Sequence, residues 1–141
     1  MMFPSLPGSY ALLGSVVPRD AFVAAKLREA GAIFIGKGNL SEWSGIGGEW
    51  GGMKGQVPNG FSERGGQTLC PYNLNASPSG SSSGSGVATA VGLAAGSLGS
   101  ETHGSIIGPS SRNNVVGIKP TVGLVSRSGG KVSSDGHQLP L

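Results

Sequence analysis

A chain of 141 residues is long enough for one domain with a modest core. Its net charge of +3 is spread over only 12% Asp, Glu, Lys and Arg, and only Arg19, Lys26 and Arg28 fall close together, which excludes the dense basic stripe of a nucleic-acid reader. A single cysteine, Cys70, excludes an internal disulfide, and His103 and His137 have no Cys or His partner at ligand spacing, so neither an oxidised scaffold nor a metal site is expected.

The first residues, "MMFPSLPGSYALLGSVV", are weakly patterned and punctuated by two prolines. They lack a basic leader, and nowhere does an apolar run approach the ~18 residues of a membrane span, so a cytoplasmic protein without membrane contact is expected. "PRDAFVAAKLREAGA" then predicts a helix, with Asp20 as N-cap, Val23, Leu27 and Ala30 on one apolar face, and Gly31 at the C′ position. "AIFIG", residues 32–36, reads as a short buried strand, and helix, glycine and strand together make half of a βαβ unit. Lys37 stands where that strand ends, and the apolar run before it predicts that its side chain is buried.

Residues 39–78 are long and loop-like, a length that is usually functional inside a small domain. Within them Glu42, Trp43 and Trp50 read as loop packing and capping, Arg64 as a group that holds the loop by hydrogen bonds, and Cys70 as inert. Residues 77–96, "SPSGSSSGSGVATAVGLAAG", run from a serine-rich loop into a small, apolar, helix-compatible stretch. "SLGSET" predicts a short strand just before His103, and "NNVVGIKPTVGLVS" a last β-type segment whose Pro120 argues for an edge or a strand end.

Glycine is the compositional anomaly, 27 residues in all, most of them gathered at 36–66, 80–108 and 129–130, a pattern of tight turns and close backbone approach. The serine-rich loop admits several readings. A flexible linker is the simplest. A phosphate loop needs a Lys after its last Gly, and none follows. "GSSSG" fits a nucleophile elbow centred on Ser82, with Asp135 and His137 as acid and base of an esterase, but that motif requires a preceding strand, and "NLNASPS" is rich in turn formers. The remaining reading joins Lys37 of "GKGNLSEW", Ser81 of "SPSGSSSGSG" and Ser105 of "GSETHGSIIGPSSRNNVVGIKPTVG".

Those three blocks resemble the amidase signature family, in which a glycine-serine loop, a helix and a G-[ST]-[DE]-T-x-G-S-I run are followed by V-G-x-K-P-T. Here the run is Gly99 to Ile106 and the close is Val116-Gly117-Ile118-Lys119-Pro120-Thr121. The resemblance implies an α/β fold, a mixed β-sheet core flanked by helices. It also implies cleavage of the C–N bond of a small-molecule carboxylic amide by a Ser-cisSer-Lys triad. Ser105 would be the nucleophile, Ser81, on a cis peptide bond, the relay, and Lys37 the base. The backbone N–H groups of Thr102, His103, Gly104 and Ser105 would form the oxyanion hole. No metal or organic cofactor is implied.

A serine hydroxyl needs a proton acceptor to attack at neutral pH, and lysine serves only when burial lowers its pKa. Three features depart from the family, one of them the tail after about Gly129. His103 stands where Gly or a small acidic residue is commoner and has the bulk to crowd the carbonyl pocket. The family's catalytic domains are several times longer, with strands expected before Gly8 and after Ser126. The chain therefore divides into a partial amidase domain, 1–128, incomplete at both ends, and a divergent tail, 129–141. An alternative follows from this: an inactive remnant or interaction fragment that self-associates through exposed sheet edges.

Overall fold

The computed structural model describes residues 8–45 and 57–129. Helix α1 spans Phe22–Glu29, the hairpin strands β1 and β2 span Phe61–Ser62 and Gly66–Gln67, α2 spans Ser83–Ala90 and α3 Ile107–Arg112, with short 3₁₀ turns at Tyr10–Leu12 and Glu42–Gly45. None of the described helices is long and apolar enough to cross a membrane.

Helix α1 forms where its periodicity predicts, but Asp20 is not its cap. The residue before the first helical turn is Ala21, which makes no side-chain bond to the helix. Asp20, one position further out, accepts from Arg28 Nε at 3.1 Å instead, and the Arg28 guanidinium lies over the Phe34 ring at 4.8 Å. At the other end the expectation for Gly31 is met. Its φ of +89° lets Gly31 N–H reach the Arg28 carbonyl at 3.0 Å and Ala32 N–H the Leu27 carbonyl at 2.9 Å. Those paired bonds are the Schellman closure that a left-handed C′ glycine permits.

The strands expected at 32–36, 97–102 and 113–126 are not formed. A strand exists only where a neighbour completes its ladder, and among the described residues none pairs with these segments. Their apolar side chains lie open instead: Ile33 is 89% exposed, Val116 90% and Ile118 76%. The observed sheet is the antiparallel β1–β2 hairpin, registered Phe61 to Gln67 and Ser62 to Gly66, inside the segment read as a loop. The result is an α/β piece, helices with a small sheet.

What holds the described residues together is largely polar. Apart from Pro78 and Pro109, Cys70 is their one buried hydrophobic side chain, whereas Ser41, Ser62, Ser81, Ser83, Glu101 and Asn113 are all buried. Asn39 shows how such an interior is satisfied. Its Nδ2 donates to the Gly60 and Gly66 carbonyls at 3.1 and 2.9 Å and to Thr68 Oγ1 at 3.0 Å. Its Oδ1 accepts from Ser62 Oγ at 2.7 Å. Glu42, read as a capping residue, accepts the Glu63 N–H at 2.8 Å. Trp50 and the rest of 46–56 lie outside the described residues. Because Asn39 fastens the hairpin to the segment after Lys37, Asn39→Ala is expected to lower the unfolding free energy by about 1–3 kcal/mol, read as an earlier midpoint in urea; an unchanged midpoint would remove Asn39 from this role.

Candidate active site

Segment 38–41 lies directly against 81–84. Gly84 N–H donates to the Asn39 carbonyl at 2.9 Å and Ser41 N–H to the Ser81 carbonyl at 3.0 Å. Contact this close needs glycine on both sides: a Cβ on Gly38 would stand 2.9 Å from the Gly84 carbonyl carbon, and one on Gly84 would collide with the backbone of Asn39. Lys37 directly precedes this seam. Ser81 is on its other side, 6% exposed, and the Gly80–Ser81 peptide bond is cis.

Ser105 is joined to the same loop, because its carbonyl accepts the Ser82 N–H at 3.2 Å. The structure thus brings the segments carrying Lys37, Ser81 and Ser105 to one place. Ser82 has a different task. Its hydroxyl donates to the Ser100 carbonyl at 3.3 Å and accepts the Ser100 N–H at 3.2 Å, so it stitches the loop to the run before Ser105. Ser83 Oγ likewise donates to the Ser79 carbonyl at 2.6 Å. Asp135 and His137, the partners of the esterase reading, lie outside the described residues, as does the tail from 130 onward.

Lys37 departs from its expectation in one respect. The residue as a whole is exposed, not buried, because the apolar run before it has no covering strand. The surroundings of its amine nonetheless desolvate it enough to hold its pKa below the ordinary 10.5, against the opposing pull of the Asp20 carboxylate.

The turn from 100 to 107 is organised by Glu101, a residue that sequence reasoning passed over. Its carboxylate is buried and Oε2 accepts the Ile106 N–H at 2.7 Å and the Ile107 N–H at 2.9 Å. It caps α3 from outside, where Ile106 offers no side-chain cap of its own. Burial pushes the Glu101 pKa up, but the N–H groups of Ile107, Ile106 and Gly104, together with the charge of Lys119, outweigh it and hold the pKa below 4.5. Of the four expected oxyanion donors, Gly104 is therefore shared with Glu101. Gly104 and Ser105 are half-buried, and Thr102 and His103 are exposed. The available signal for Glu101 was a lone acid inside the uncharged, turn-forming run "GSETHGS". Asn113 was also missed, and is wholly buried. Among the described residues no group of three or more His, Cys, Asp or Glu is placed to hold a metal ion.

A family model described as "Amidase" matches residues 3–138. A protein of Schizosaccharomyces pombe that bears the name amidase provisionally is 55% identical over 122 residues, covering 86% of this chain and 20% of its own length. A component of the glutamyl-tRNA(Gln) amidotransferase of Syntrophobacter fumaroxidans is 45% identical, over 86% of this chain and 23% of its own. The crystal structure of the native peptide amidase from Stenotrophomonas maltophilia superposes with a TM-score of 0.80 at 51% identity, over 89% of this chain and 24% of that one. The chain thus spans about a fifth to a quarter of the length of the relatives it matches.

Replacement of Glu101 by Gln keeps the shape but removes the charge, and is expected to cost about 1–2 kcal/mol at neutral pH. Because the folded pKa lies below the unfolded one, the wild-type contribution is complete above about 4.5 and is lost as pH falls through the lowered folded value. Stability curves of the two proteins should therefore converge in acid; curves that stay parallel would mean that the carboxylate charge does not hold the turn.

Proposed function

We propose, on the premise that this chain belongs to the amidase family, that it carries the nucleophile and proton relay of a hydrolase that cleaves a carboxylic amide through a serine acyl-enzyme. The observation that carries the reading is the pair of seams that draw three segments together. Residues 38–41 bond to 81–84, and Ser82 bonds to Ser105.

In this reading the neutral amine of Lys37 takes the proton of the Ser81 hydroxyl as Ser81 takes that of Ser105. The Ser105 oxygen attacks the amide carbonyl carbon and the carbonyl π pair moves onto oxygen. The oxyanion is held by the backbone N–H groups of Thr102, His103 and Ser105, a free donor being worth about 3 kcal/mol in such sites, with the Gly104 N–H shared between it and the Glu101 carboxylate. Collapse breaks the C–N bond, and the proton returns through Ser81 to the departing nitrogen. Water then attacks the ester by the same relay, releasing a carboxylic acid and restoring Ser105. The lowered pKa of Lys37 favours the neutral amine that the first step requires. Likeness to a peptide amidase supports a peptide-type amide as the substrate class.

A second reading, an amidase segment that docks on further polypeptide, is favoured by the exposure of Ile33, Ile35, Val116 and Ile118. A fluorophosphonate, which is attacked by activated serines, separates the two. The first reading expects labelling of Ser105 that falls at least about a hundredfold in Lys37→Ala and in Ser81→Ala. The second expects an unlabelled chain. The pH profile adds an independent check. A lysine base works only when neutral, so the labelling rate should rise with pH and level off with a midpoint below 10.5; a rate that falls over that range would rule out Lys37 as the base.

A further inference from the structure

We propose that Asn113 is a positioning residue, an amide clamp that fixes the segment leading to Ser81 against the helix that follows Ser105. The amidase reading supplies only what the two serines do; the clamp itself stands on geometry. Asn113 closes the C-terminal end of α3, and its side chain is the largest that is fully buried, at 0% exposure. Its Nδ2 donates to two carbonyls, that of Pro78 at 2.9 Å and that of Pro109 at 2.8 Å. Pro78 lies three positions before Ser81, on the approach to the cis bond, and Pro109 lies in α3 four positions after Ser105. One planar amide thereby spans the two segments.

Helix α2 lies over this contact. A Cβ on Gly86 would approach Asn113 Nδ2 to 3.2 Å and the Pro109 carbonyl oxygen to 3.0 Å, so the amide is enclosed by the segment at Pro78, α2 and α3. The cost of the arrangement is visible on the other side of the amide: Oδ1 has no hydrogen-bond partner among the described residues. A buried acceptor without a partner is unfavourable. Leucine, branched at the same carbon though bulkier, would remove that unpaired acceptor, but it has no N–H to offer Pro78. The two donors are what the asparagine alone supplies.

Hydrogen exchange of the full 141-residue chain tests this directly. The Ser82 N–H, bonded to the Ser105 carbonyl, reports whether the two serine segments keep their register. The Ala25 and Ala30 N–H groups of α1 are internal controls. Asn113→Leu is expected to speed Ser82 exchange by about tenfold or more while α1 is unchanged. The fluorophosphonate rate at Ser105 should fall by a similar factor, with the half-saturating probe concentration unaltered. Gly86→Ala, which favours α2 on helix propensity yet presses on the clamp, should move Ser82 in the same direction and decides the matter if Asn113→Leu does not fold. Unchanged Ser82 protection in the variant that folds overturns the clamp. A wild-type chain inert to the probe, with Ser82 still loosened by either variant, leaves the clamp standing and overturns the amidase reading instead.

Discussion

The contact on which the rest depends is the close approach of two backbones, 38–41 against 81–84. It is made of Gly84 N–H on the Asn39 carbonyl and Ser41 N–H on the Ser81 carbonyl. It is possible only because Gly38 and Gly84 present no side chain to each other. Through it the end of the segment after α1 reaches the serine loop, and the serine loop in turn reaches Ser105 through Ser82. A lysine, a serine on a cis bond and a second serine are distant in sequence. Here they hang on one set of main-chain bonds, which are short-ranged and directional and so hold position better than an apolar contact of equal strength.

That seam explains why the interior is polar. Groups brought this close leave little room for aliphatic side chains, and every buried N–H, hydroxyl and carboxylate then needs a partner. Asn39 satisfies four groups in and beside the hairpin, Ser82 both groups of Ser100, and Glu101 the opening N–H groups of α3. The network holds the catalytic candidates by the chain on either side of them. Helix α1, by contrast, buries none of its residues and is attached by the Phe22 N–H on the Ser128 carbonyl at 2.9 Å.

The apolar segments show how far local pattern reaches. Residues 32–36 and 113–126 have strand composition, and composition is a property of the segment alone. A ladder is a property of two segments, and none is present beside either among the described residues. The side chains chosen for a sheet face therefore stand in solvent. The hairpin at 61–67 errs the other way. It is too short for alternation to reveal and is set by Asn39, far off in sequence. The same reason hid Glu101 and Asn113, since an acid or an amide that bonds to main chain leaves no periodic trace.

By itself the sequence determined the family, the order of its blocks and the residue types that could do the chemistry, because spaced glycines, serines and a lysine are written directly in the chain. It also determined the closing turn of α1, since only a glycine takes a φ of +89° there without strain. The tertiary structure alone decided which serine hydroxyl bonds to main chain, which carboxylate caps α3, and how the three candidate segments meet. Those outcomes depend on which donor faces which acceptor across a fold, and a hydrogen bond's partner is a fact about distance, not about order.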